Sequence, residues 1–154
     1  MMLDEIDVKI LNMLQEEGRA KRNVLAEAVG LSLPSLSERL NKLEEKGIIT
    51  GYYTKLNLKS FGLDLMVIIT IHTESSKHYD TFAENVRNTN EIIECYAVLG
   101  EGSHVMKAIV KDSLSLEKLL SKIQSWKGVK RTHSRFVLST IKETTKINIK
   151  AKEH

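Results

Sequence analysis

Ser35, Glu38 and Asn41 are the side chains whose types and spacing best suit the reading of base edges. Asn pairs with adenine through two hydrogen bonds, Glu accepts from the amino group of cytosine, and Ser makes a weaker bond of either kind. Steps of three residues put all three on one flank of a helix, facing away from Leu36, Leu40 and Leu43, which take the inward stripe. Lys21, Arg22, Lys42 and Lys46 stand near this flank as candidate phosphate contacts, as do the amide hydrogens at Ser32. A solvated polar face is the alternative reading. Arg39 beside the leucine seam has two readings as well, an ion pair with a local carboxylate or a phosphate clamp.

Other chemistries find less support. The five histidines, His72, His78, His104, His133 and His154, show no metal-ligand spacing and no HExxH context, and read as structural or solvated. The Asp and Glu residues are scattered, so paired acid/base catalysis has no basis and no enzyme is expected. Gly100-Glu101-Gly102 is too short to cradle a phosphate. With Ser103 it reads either as a hairpin turn or as an effector or assembly loop. Cys95 is the single cysteine, which excludes an internal disulfide and a multi-thiolate metal site and suits a reducing compartment.

Helices must position the first group. Asp4 suits an N-cap, with Glu5 and Asp7 in the first turn, Leu3 and Val8 spaced as a staple, and Ile6, Ile10, Leu11 and Leu14 as the stripe before Gly18. A second helix is expected from about Arg22 to Val29, ended by Gly30 in the left-handed region. Ser32 caps the third, with Pro34 in its first turn and the buried face running down to Gly47. A join of about three residues, 30–32, forces a steep crossing, which is the helix-turn-helix arrangement.

From residue 51 the periodicity changes. Residues 51–57 have the composition of a short strand, and 58–62 of a connector. Leu63 to Thr73 predicts a strand, 78–88 a helix, Ile92 to Leu99 and Val105 to Lys111 two strands, Ser115 to Trp126 a helix, and Arg131 to Ile141 a final strand. The β-α-β-β-α-β order implies an α+β chain, a winged-type helix-turn-helix followed by a ferredoxin-like domain with both helices on one sheet face. Domain boundaries are expected at 1–50, 51–62 and 63–154. Residues 65–69 are apolar at successive positions, so the other face should be covered in a dimer or larger assembly.

The 154 residues are 42% hydrophobic, enough for a core, and carry a net charge of +3. Residues 1–60 are balanced at nine basic against nine acidic, so bulk charge alone would not mark a nucleic-acid binder. The acidic start lacks the pattern of a signal peptide, and the longest apolar run, Leu65 to Ile69, is far short of a membrane span. A soluble cytoplasmic protein without membrane association is expected. Lys142, Lys146, Lys150 and Lys152 form a basic tail, read as a frayed solubilising end or a second DNA contact, with 144–149 as a weak edge strand.

The chain resembles the Lrp/AsnC family of leucine-responsive, or feast/famine, regulators. The resemblance rests on Leu3-Asp4-x-x-Asp7-x-x-Ile10-Leu11 with Gly18-Arg19, and on Leu25-Ala26 to Gly30-Leu31-Ser32. It continues through Arg39-Leu40-x-x-Leu43-Glu44-x-x-Gly47-Ile48-Ile49, Gly51-Tyr52, Val98-x-Gly100, Gly128-Val129 and Thr132-x-Ser134. It implies a sequence-specific transcriptional regulator on double-stranded DNA, built as homodimers that assemble to tetramers or octamers. It also implies an amino acid or related metabolite, not a resident cofactor, bound between subunits near Gly100, Glu101, Gly102, Ser103, His104, Thr132 and Ser134. The family's loop is Gly-x-x-Asp followed by an aromatic or aliphatic residue. Here Ser103 stands where the Asp is expected and His104 follows.

Dimers of this kind present two third helices about 34 Å apart, so the operator should be an imperfect palindrome. The alternative is an amino-acid-sensing or protein-interaction oligomer without specific DNA binding.

Overall fold

A computed structural model describes residues 3–151. The chain divides into two compact units, one comprising the chain up to Lys55 together with the segment from Lys142, the other Leu56–Ile141. The described part of the tail, residues 142–151, groups with the helices, whereas 142–154 were expected with the second domain.

Three helices build the first unit: α1 Glu5–Glu16, α2 Arg22–Val29 and α3 Leu33–Glu45. Asp4 caps α1 by accepting from the Asp7 amide at 2.7 Å, and Asp7 returns the bond by accepting from the Asp4 amide at 3.2 Å. This reciprocal pair satisfies two amide hydrogens that a helix start otherwise leaves unpaired. At the end of α2, Gly30 adopts φ 69°, so that its amide reaches the Glu27 carbonyl and the Leu31 amide reaches Ala26. That turn is a Schellman motif, and it aims the chain sharply into α3. Ile10, Leu25, Ala26, Leu36 and Leu40 form the buried cluster, with Ile6, Leu14, Val29 and Ile49 packed at its edge.

Residues 51–57 form no strand. Their composition is strand-like, but a strand exists only where a neighbour takes its backbone bonds, and no described segment of the chain does so. Tyr53 instead folds back so that its hydroxyl donates to the Thr50 carbonyl at 3.4 Å. The ring lies against Gly51, where a Cβ would meet the phenol oxygen at 2.4 Å. The segment 144–149 is not a strand either, and residues 143–147 are tied down rather than frayed. Ile147 donates its amide to Gln15 Oε1 at 2.7 Å and accepts from Gln15 Nε2 at 3.1 Å, while Lys146 pairs with Glu16 and Lys55 with Glu143. The Gln15 carboxamide acts here as a one-residue strand partner. Lys152 and His154 lie outside the described residues.

The second unit runs β1 Leu65–Thr73, α4 Tyr79–Arg87, β2 Ile92–Ala97, β3 His104–Val110, α5 Ser113–Gln124 and β4 Val129–Phe136. The sheet order is β2-β3-β1-β4, with every neighbouring pair antiparallel. This is the ferredoxin-like arrangement, although β1 starts at Leu65 and β4 stops at Phe136, short of the expected Ile141. Alternate residues Val67, Ile69 and Ile71 face the helices and meet Phe82, Met106, Ala108, Leu116, Leu119, Ile123 and Trp126. Asp112 caps α5 by accepting from the Ser115 amide at 2.8 Å. The opposite sheet face carries Met66, Ile68 and Thr70 at the centre, Tyr96 toward one edge, and Arg131, His133 and Arg135 toward the other.

Replacing Gln15 with Ala removes both bonds to Ile147. Hydrogen exchange of the Ile147 amide should accelerate at least about tenfold, the equivalent of one net hydrogen bond, while exchange in α5 stays unchanged.

Candidate nucleic-acid interface and effector loop

Helix α3 starts on Ser32, whose Oγ accepts from the Ser35 amide at 3.3 Å and whose hydroxyl donates to Ser35 Oγ at 2.9 Å. Pro34 occupies the first turn, where it sacrifices no helical bond. Leu36 and Leu43 are fully buried and Leu40 nearly so, which turns Ser35, Glu38, Asn41 and Lys42 outward, all exposed. The rotation of this helix about its axis is thus set by three leucines.

Its position along the unit is set by charge. Arg39 Nη1 donates to Asp4 Oδ2 at 2.7 Å and to Asp7 Oδ1 at 2.8 Å, joining α3 to the capped start of α1. The Asp7 side chain is 3% exposed, whereas that of Arg39 is 30% and that of Asp4 is 50%. Arg39 thus shows the first of its two readings, the pairing with local carboxylates. The hydrogen bonds it donates to the Asp4 and Asp7 carboxylates hold the guanidinium pKa above its ordinary value. The Asp7 amide, followed by Arg39, holds Asp4 below its ordinary 3.8.

The remaining cations differ in freedom. Lys42 Nζ pairs with Glu38 Oε1 at 2.7 Å, one turn apart, and that bond and charge hold the Glu38 carboxyl below its usual range. Both ends are well exposed, so the pair is weak and readily exchanged for other partners. Arg22 Nη1 donates to Ser37 Oγ at 3.2 Å, tying the start of α2 to α3. Lys21 and Lys46 are exposed, at the cap positions of α2 and α3, and enter no ion pair among the described residues. Ser32, Ser35, Glu38, Asn41, Lys42 and Lys46 therefore share one helix, with Lys21 and Arg22 at the start of the neighbouring one.

In the second unit, residues 98–103 join β2 to β3. Gly100 and Gly102 take φ 105° and 83°. A Cβ on Gly102 would lie 2.6 Å from Thr70 Cγ2 and 3.0 Å from the Ile71 carbonyl oxygen, so only glycine lets the loop pass so close to β1. Ser103 donates to the Ile71 carbonyl twice, from its amide at 2.8 Å and its hydroxyl at 3.1 Å. Glu101 is exposed at the tip. Thr132 and Ser134 lie on β4 opposite Ile71 and Ile69, and Thr132 Oγ1 accepts from Gln124 of α5 at 3.0 Å. Because His104 and Thr132 both pair with Ile71, they occupy one row of the sheet two strands apart, about 10 Å. The loop residues are thus assembled at one end of the sheet, and Thr132 and Ser134 stand apart from them on the far side of β1.

His104 is buried, not solvated. Its Nδ1 lies 2.9 Å from Ser103 Oγ and its ring packs on Phe82 at 4.5 Å and on Tyr79 at 5.7 Å. Sequence reasoning missed this packing, since nothing in the spacing of Tyr79, Phe82 and His104 signals their meeting. It likewise missed the Arg39–Asp4–Asp7 junction, although Arg39 and two N-terminal carboxylates were each recognised.

Two family models match in tandem: winged helix-turn-helix DNA-binding over residues 3–50 and Lrp/AsnC ligand binding domain over 66–147. The HTH-type transcriptional regulator FL11 of Pyrococcus horikoshii is 35% identical over 148 residues, covering 96% of this chain and 97% of the relative. The leucine-responsive regulatory protein of Escherichia coli is 33% identical, covering 97% and 93%. A solved transcriptional regulator of Neisseria meningitidis in complex with L-Met superposes with a TM-score of 0.90 at 34% identity, over 96% of this chain and 97% of that one.

Replacing Arg39 with Ala strands the buried Asp7 carboxylate. Chemical denaturation should show a loss of about 2 kcal/mol, between the values for exposed and buried pairs. Since the folded-state pKa of Asp4 lies below 3.8, its contribution is complete well above that value and is lost as pH falls through the folded pKa. The Asp4→Asn variant should therefore lose stability less steeply than the parent between about pH 5 and pH 3.

With a helix-turn-helix that turns its polar flank outward, a ferredoxin-like second unit, and relatives matched end to end, the chain belongs to the Lrp/AsnC family and is a DNA-binding transcriptional regulator.

Proposed function

We propose that the chain acts as a homodimer, assembling further to a tetramer or octamer, that reads an imperfect palindrome in double-stranded DNA and responds to an amino acid or related metabolite. The exposed row Ser35, Glu38 and Asn41 on a helix whose rotation is set by buried leucines carries this reading. In each dimer the two copies of α3 enter successive major grooves about 34 Å apart. Asn41 and Glu38 read base edges, with Glu38 released from its weak bond to Lys42. Lys21, Lys46, Arg22 and the freed Lys42 contact phosphates, and the amide hydrogens at Ser32 add a further anion contact. Arg39 acts indirectly, by holding α3 against α1.

Near-neutral charge in the first 60 residues makes a single dimer a weak binder. Several dimers on one DNA raise affinity by ~10²-fold or more where geometry permits, so control of assembly is control of binding. The apolar centre of the uncovered sheet face supports association through that face. The Neisseria relative binds L-Met, and we extend an amino-acid effector to this chain at the loop 100–104 with Thr132 and Ser134. Ser103 replaces the carboxylate usual in that loop, so a serine hydroxyl committed to the Ile71 carbonyl stands where a charge would otherwise meet the ligand's ammonium group. The effector preference should shift accordingly toward ligands that do not need a carboxylate partner there.

Selection from random duplexes should enrich a two-fold motif. Against that motif, Asn41→Ala and Glu38→Ala should each lose about 1–3 kcal/mol of discrimination over random duplex. Lys46→Ala should weaken binding to all duplexes alike and reduce the salt slope by about 0.9 per subunit contact. An unchanged ratio in both base-reading variants, or no enriched motif, would favour a sensing oligomer that does not read sequence.

A further inference from the structure

The polar flank of α3 gives way to hydrocarbon at its first turn. Of the exposed residues of α3, only Leu33 and Pro34 are apolar; the others are Ser35, Glu38, Asn41, Lys42, Glu44 and Glu45. Leu33 is 50% exposed, and neither it nor Pro34 belongs to the buried cluster of the helical unit or packs at its edge. Pro34 is accounted for by its place in the first turn. That reason does not extend to Leu33, because the cap is made by Ser32 and the core is filled by Leu36, Leu40 and Leu43.

Spacing aligns this tip with the recognition row. Pro34, Glu38 and Asn41 follow at i, i+4 and i+7, so the proline ring heads the outward row in which Glu38 and Asn41 stand, with Leu33 next to it. At about 1.5 Å per residue the row is about 10 Å long, which along a duplex is about three base-pair steps. The chemistry of the tip is restrictive. Pro34 has no amide hydrogen and neither side chain has a polar atom, so phosphates and the donors and acceptors of base edges gain nothing from them. The major groove presents one kind of hydrocarbon group, the C5 methyl of thymine. A methyl set against Leu33 and Pro34 removes water from both surfaces, whereas a cytosine there would turn its amino group toward carbon and leave a donor without a partner.

We infer that Leu33 and Pro34 are specificity-determining residues that select thymine, through its methyl group, at the end of each half-site remote from the base read by Asn41. The inference rests on the proposed entry of α3 into the major groove and adds to it a base pair that is chosen without any hydrogen bond.

The test uses uracil, which pairs as thymine does and lacks only the methyl. The full chain is selected against two random duplex libraries, one containing thymine and one containing uracil throughout, and affinities are then measured on the enriched duplex with each thymine replaced in turn by uracil. The thymine library should enrich a thymine column at that end of the half-site, and the uracil library should lose the preference there while keeping the columns read by Glu38 and Asn41. One methyl should be worth about fourfold in affinity, and the two half-sites together about fifteenfold. In the double variant Leu33→Ser, Pro34→Ser the thymine and uracil duplexes should bind equally. Leu33→Ser alone, which keeps the proline at the helix start, should reduce the difference to about twofold per half-site, and Leu33→Met, which keeps hydrocarbon at the tip, should preserve it. A motif on which uracil binds as tightly as thymine at every column would overturn the inference and leave the reading by Glu38 and Asn41 standing. So would a uracil penalty of equal size in the parent, in Leu33→Ser and in the double variant, as when the methyl acts through duplex shape. No enriched motif from either library would reject the DNA reading itself, and this inference with it.

Discussion

The helical unit depends on one cation shared by two carboxylates. Asp4 and Asp7 first cap each other's amides at the start of α1, and both then accept from the same Arg39 nitrogen. Asp7 is nearly inaccessible to water, so its charge is tolerable only with the guanidinium beside it. The cap makes the carboxylates available in a fixed geometry, and Arg39 converts that geometry into the placement of α3. Leucines alone would specify which face of α3 is buried; the ion pairs add where along α1 it docks. The outward placement of Ser35, Glu38 and Asn41 inherits both constraints.

The second unit follows a different logic. Its core lies wholly between one sheet face and two helices, leaving a face with apolar Ile68 and Met66 at its centre and arginines on β4. The proposed association through that face would cover its apolar centre. The β2–β3 loop belongs to the same design: Gly102 lets it lie against β1, and Ser103 anchors it there by two bonds to one carbonyl. His104, the next residue, extends this anchor into the interior. Loop, helix α4 and the head of β3 are thereby joined in one hydrogen-bonded and stacked path.

Local signals in the sequence located the helices well. Asp4, Gly30 and Ser32 each dictate a backbone turn through their own side chain or conformational freedom, and α2 spans the expected Arg22–Val29. The βαββαβ order was also legible, because a switch from a period of 3.6 to 2 survives without knowledge of contacts. What composition could not convey was partnership. Residues 51–57 look like a strand but lack a neighbour, and 144–149 found a glutamine side chain instead of a strand edge. Arg39 was recognised as one of two things without the means to choose, since the choice rests on Asp4 and Asp7 folding back from more than thirty residues away.

The most direct measurement of the account is amide chemical-shift mapping of the full chain during titration with a selected duplex. The largest perturbations are predicted at residues 32–42, with Ser35, Glu38 and Asn41 foremost and the Arg39 guanidinium resonances still showing the bond to Asp7. Perturbations confined to other surfaces while α3 remains silent would contradict it.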